Sequence, residues 1–139
     1  MNDNSISYFE TKGPDVKAIK QTFDLAMKSE CQLITFLIPT LEQIKGSVLR
    51  DALSQNFVEK LYKNKKLTFR NKTIAACSYK TFNKNVNNGF VITLWNSVKE
   101  IENLEKYSFE KIMVIPWLED EGKAWVLNQG GEVIGVVPL

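Results

Sequence analysis

From Ser5 to Glu10, Ile6 and Tyr8 fall on one side of an extended chain and Ser7 and Phe9 on the other. That period-two pattern predicts a short first strand. Gly13-Pro14 then breaks the chain, and Pro14 suits the first turn of a helix. From Asp15 onward Val16, Ile19, Phe23, Ala26 and Met27 recur at helical spacing. Cys31–Pro39 (CQLITFLIP) is almost continuously apolar, as a strand covered on both faces would be. These three segments make one β-α-β unit.

Thr40 with Gln43 spells a T-x-x-Q capping box at a helix start. The stripe Leu41, Ile44, Val48, Leu49, Ala52, Leu53, Phe57, Leu61 and Tyr62 predicts one long amphipathic helix with a lysine-rich end. Leu67–Cys77 reads as a strand or as a tight hairpin turning at Asn71-Lys72, and Tyr79–Asn88 as a short helix or an asparagine-rich loop. Gly89–Trp95 and Lys111–Pro116 read as buried strands. Between them Ser97 and Glu100 form a second capping box, opening a helix through Ile101 and Leu104. A helix over Glu119–Gln129 stops at Gly130-Gly131, and Glu132–Val137 is the last strand. Strands alternating with helices predict a three-layer α/β/α sandwich with a mostly parallel sheet of five or six strands. No solenoid repeat or flexible linker divides the chain, so residues 1–139 read as a single α/β domain.

Composition agrees with an ordinary globular domain: 139 residues, 44% hydrophobic and 24% charged. Histidine is absent, which removes every mechanism needing an imidazole base, nucleophile or metal ligand from this chain. No segment matches a signal peptide, and no apolar run approaches the roughly 20 residues that cross a bilayer. Cys31 and Cys77 form no C-x-x-C pair and sit in strand-like surroundings, as buried reduced thiols do. The expectation is a cytoplasmic protein without a membrane partner. The G-x-G-x-x-G and G-x-x-x-x-G-K-[ST] phosphate signatures are missing, and no cofactor or metal is implied.

Open α/β sheets bind ligands beyond the carboxyl ends of their strands. Three turns there share a design: Ile38-Pro39-Thr40, Trp95-Asn96-Ser97 and Ile115-Pro116-Trp117. Thr40 and Ser97 stand at predicted helix starts, where free N–H groups favour a phosphate or carboxylate. Trp95 and Trp117 offer indole faces to a planar ligand. The same residues have ordinary structural duties, since Ser and Thr cap helices and a tryptophan often closes the rim of a core. Thr40, Trp95, Ser97 and Trp117 are therefore the expected ligand-binding residues for a small anion or a protein partner, in a domain without catalytic residues. An enzyme reading would rest on Cys77, or on the carboxylates Glu119, Asp120 and Glu121, which equally match the dipole of a helix start.

Charge is unevenly distributed. Residues 1–59 hold six basic and eight acidic side chains, residues 60–99 nine basic and no acidic ones, and residues 100–139 three basic and eight acidic. The middle segment interleaves its cations with Tyr62, Phe69, Tyr79, Phe82 and Phe90. Cations for a backbone and rings for bases suit single-stranded nucleic acid or another polyanion. Lys63, Lys65, Lys66, Arg70 and Lys72 are the expected contacts of that alternative. The opposing reading is a solvated face: 16 lysines against two arginines lack the guanidinium fork of specific recognition, and 12 asparagines accompany them.

The opening Tyr8-Phe9-Glu10-Thr11-Lys12-Gly13-Pro14, followed by Thr22 and Leu25-Ala26, resembles the start of small proteins related to the pyruvate kinase C-terminal α/β domain. The resemblance covers the first 38 residues and implies a three-layer α/β fold. That family's small-residue turn after the second strand is replaced here by Pro39-Thr40-Leu41-Glu42. No activity or site residue is carried across.

Overall fold

The structure, a computed structural model, describes residues 5–10, 15–40, 46–82, 87–116 and 122–135. Strand β1 (Ser5–Glu10) leads to helix α1 (Val16–Lys28), whose N-cap Asp15 accepts from the Ala18 N–H at 3.1 Å. Strand β2 (Leu33–Ile38) follows. The predicted long helix is two helices, α2 (Ser47–Leu53) and α3 (Gln55–Asn64), broken at Ser54. Ser54 adopts φ 90°, and its hydroxyl accepts from the Phe57 N–H at 3.3 Å to cap α3. The first residues of that predicted helix, 41–45, lie outside the described residues.

The ambiguous stretch after α3 is a hairpin of β3 (Lys66–Phe69) and β4 (Lys72–Ser78). Its two-residue turn is Arg70-Asn71, one position earlier than expected, with both φ values positive at 49° and 68°. Positive φ at both positions is the turn geometry whose twist matches two paired strands. A 3-10 turn over Tyr79–Thr81 precedes β5 (Phe90–Leu94). Helix α4 (Val98–Glu102) tightens into a second 3-10 turn, Asn103–Lys106, before β6 (Lys111–Ile115). Helix α5 (Lys123–Asn128) and strand β7 (Glu132–Gly135) complete the described chain.

This is an α/β fold with seven strands among the described residues, more than the five or six expected, because β3 and β4 count separately. The strand order is β3-β4-β2-β5-β6-β1-β7, with every pair parallel except β3 and β4. Strand side chains alternate between two apolar clusters. Ile34, Phe36, Ile38, Ile92 and Leu94 pack with α1, α2 and α3 residues such as Ile19, Leu49 and Leu61. Leu37, Val91, Ile112 and Val114 pack instead with Ile101, Leu104, Trp125 and Val126. Connections running toward β3 thus use the first face, and those running toward β7 the second. Right-handed crossovers require that division.

Candidate functional site

The chain leaves β2 toward β4 and leaves the adjacent β5 toward β6, so its course reverses between these two strands. The region outside their carboxyl ends is the switch point where open α/β sheets take ligands. Thr40 follows β2 there and is exposed; Trp95, Asn96 and Ser97 follow β5. Trp117 lies outside the described residues, as do Glu119, Asp120 and Glu121.

Local geometry gives Trp95 and Ser97 structural duties. Trp95 is only 8% exposed and adopts φ 65°, while its N–H reaches the Ile115 carbonyl at 2.9 Å. The left-handed residue breaks strand alternation, so the indole packs in the same cluster as Leu94. The Ser97 hydroxyl accepts from the Glu100 N–H at 3.2 Å, and the Glu100 carboxylate accepts from the Ser97 N–H at 3.2 Å. This capping box puts a carboxylate where a bound phosphate would have to sit. Asn96 is fully buried; its Nδ2 donates to Glu100 at 3.3 Å, and its Oδ1 has no partner among the described residues. The buried Thr93 hydroxyl is likewise unpartnered among the described residues. Tyr79 closes this side of the sheet against Tyr107. Its pKa is raised, chiefly by burial and then by Tyr107 and Glu100.

Burial pushes the Cys77 thiol up to about 12, so it is protonated at neutral pH and is not a poised nucleophile. Cys31 is raised too, first by burial and then by Glu110. The described residues hold no cluster of three His, Cys, Asp or Glu suited to a metal ion. No described helix is long and apolar enough to cross a membrane.

The basic residues gather at the other candidate surface. Lys63, Lys65, Lys66 and Arg70 are all exposed, on the end of α3 and on the β3–β4 hairpin. Lys65 closes α3 in the left-handed conformation at φ 64°, and its ammonium bonds the Tyr62 carbonyl at 2.6 Å. It also lies 4.7 Å from the Tyr62 ring centre, and Arg70 lies 5.1 Å from that of Phe69. Lys72 does not belong to the exposed group. It is 9% exposed, and its ammonium bonds the Ser29 carbonyl at 2.7 Å and the Cys31 carbonyl, tying the end of α1 to β4. Of the interleaved rings, Phe82 and Phe90 are buried in the core.

Sheet order sets Glu132 of the acidic third far from this surface, while Glu100, Glu102, Glu105 and Glu110 lie between β5 and β6. Strand β3 is one edge and β7, with Glu132, the other. Six strand spacings of about 4.8 Å separate them by about 29 Å, some three Debye lengths at physiological salt. The ion pairs between described residues, Lys28–Asp24 and Lys123–Glu10, each at 2.9 Å, use none of the cations of 60–99.

Beside the basic edge lies an apolar cavity of about 430 Å³ between α1, the α2–α3 break and β3. Its walls include Phe23, Leu53, Phe57, Leu67 and Phe69, with Lys60 among its polar residues. Sequence reading placed these rings in amphipathic stripes and had no signal for a space beside them, because a stripe does not show how much of each ring the facing elements cover. Comparison of the chain with protein-family models, with curated proteins and with solved structures finds no match.

Proposed function

We propose that this chain is a non-catalytic binding domain, a three-layer α/β/α sandwich that holds a polyanion along its β3–β4 edge. One observation carries the reading: Lys63, Lys65, Lys66 and Arg70 are exposed together at the end of the sheet farthest from β7, with no carboxylate between residues 60 and 99. Cations spaced along an edge neutralise successive phosphates, and the released counterions supply the affinity. Fluorescence titration with a labelled 15-nucleotide single strand at low and at physiological salt tests it. Four phosphate contacts predict that log K falls by roughly 2.8 per tenfold rise in salt. Absence of binding at low salt would reduce the edge to a solvated lysine face that deters strand pairing.

A second reading rests on the carboxyl ends of β2 and β5. There the buried Asn96 Oδ1 has no partner among the described residues, while its Nδ2 is taken by Glu100, so the group left to meet a ligand is an acceptor. A ligand held beside Thr40 and Asn96, with Trp95, Ser97 and Trp117 as the other expected residues, carries an N–H or O–H donor for that oxygen rather than a phosphate. Thermal-shift screening of amines and polyols against phosphorylated compounds separates the two. Stabilisation by phosphorylated compounds alone rejects the donor assignment.

A further inference from the structure

We infer that the cavity walled by Phe23, Phe57 and Phe69 is a nucleobase pocket, so that the polyanion held at the β3–β4 edge is a single-stranded nucleic acid. The inference rests on the polyanion reading and adds to it a second kind of contact. At about 430 Å³ the cavity is within the range of small-molecule sites, roughly 300–1,000 Å³.

Its aromatic wall is one cluster of touching rings, with Phe23 stacked on the buried Phe36 at 5.9 Å and 6.1 Å from Phe69. Phe57 meets Phe23 edge-on with ring centres 5.6 Å apart, and Phe69 edge-on at 5.4 Å. Phe23 and Phe69 are only half-buried, so part of each ring faces the space. Ser54 opens the cavity: at φ 90° and ψ 152° it occupies backbone space that is essentially glycine's, and it splits what the apolar stripe would make one helix. The break lets Leu53 and Phe57 stand on the cavity wall.

Charge complementarity selects the occupant. Lys60 lines the cavity, no acid does, and Arg70 lies over the Phe69 ring at 5.1 Å. Lys63, Lys65 and Lys66 continue from the cavity onto the edge. A fatty carboxylate has one charge for Lys60 and leaves the remaining cations unused. A double helix has the charges but keeps its base faces stacked inside. A single strand alone offers a series of phosphates together with an unstacked planar base for the phenylalanine pocket.

The test compares fluorescence anisotropy of a labelled 15-mer of thymidine with an abasic 15-mer of equal charge, both at the same salt. The inference predicts that the thymidine strand binds about 5-fold tighter or more, the lower bound for one stacked base. Phe69→Leu, which keeps the apolar bulk and removes the ring, is expected to erase that preference for the thymidine strand. Should this variant fail to fold, photocrosslinking of a 5-iodouracil strand to the unaltered protein serves instead. Adducts at Phe23, Phe57 or Phe69 support the pocket, and adducts confined to other residues overturn it. Equal binding of thymidine and abasic strands, or of a polyglutamate of the same charge, overturns the pocket and leaves the polyanion reading standing. If none of the three binds, the polyanion reading itself fails.

Discussion

Ser54 holds a backbone conformation that costs a non-glycine residue about 1–3 kcal/mol, yet its hydroxyl caps α3. Glycine relieves the strain, and as an N-cap it gives up only a few tenths of a kcal/mol. Ser54→Gly is therefore expected to raise unfolding stability by about 1 kcal/mol, read as a higher denaturation midpoint in urea. A destabilised variant would mean that the α2–α3 break is not strained. Lys72 makes the opposite case. Removing its ammonium in Lys72→Met strips the Ser29 and Cys31 carbonyls of a charged donor, at about 1.5–3 kcal/mol. Oligonucleotide affinity should not change, because this ammonium never faces solvent anions. A loss of affinity at unchanged stability would return Lys72 to the binding surface. Cys77 sets a pH dependence. Its folded pKa of about 12 lies above its ordinary 9, so the folded protein keeps a proton that the unfolded chain releases. Stability is then unaffected below pH 9 and falls as pH rises from 9 toward 12. Comparing urea midpoints at pH 8 and pH 10.5 in wild type and Cys77→Ala should show a smaller loss in the variant.

At the scale of elements, periodicity located β1, α1, β2, β5 and β6 because each has an apolar pattern that local sequence alone sustains. It missed the α2–α3 break for a physical reason: no Gly or Pro marks Ser54, and the stripe from Leu49 to Leu61 runs through it without interruption. It placed the hairpin turn one residue late because Asn71 looks like a turn residue while Arg70 does not, although both take positive φ. The switch point was not legible at all, since strand order depends on which non-local pairings form. Legible at that switch point were Ser97, whose capping box with Glu100 is formed, and Trp95, which packs in the core cluster. One glycine shows how such a junction is held. Gly89 enters β5 at φ 70°, and a Cβ there would lie 2.1 Å from the Leu33 carbonyl oxygen, which is fixed backbone. Gly89→Ala should lose about 2–4 kcal/mol, combining the glycine-only conformation with overpacking. Thermal denaturation reads this directly, and a wild-type melting temperature would show that β2 and β5 approach less closely at that end.

For the whole molecule the governing feature is the cluster of exposed cations at the β3–β4 edge. The composition revealed three charge blocks but not their positions, and blocks adjacent in sequence commonly fold against one another. Here the order β3-β4-β2-β5-β6-β1-β7 sets Lys63, Lys65, Lys66 and Arg70 at one edge and Glu132 at the other. The proposed binding then has a signature that a local pocket cannot imitate. Lys63→Gln with Lys66→Gln removes two exposed charges without placing an acid at the end of α3, so stability should stay within about 0.5 kcal/mol of wild type. If both lysines neutralise phosphates, the salt slope of oligonucleotide binding becomes shallower by roughly 1.4, two contacts at about 0.7 each. Affinity should fall most at low salt, and wild type and variant should converge as salt rises. A parallel shift of the two lines would mean that the lysines act through something other than counterion release. An unchanged line would place the binding surface away from the β3–β4 edge.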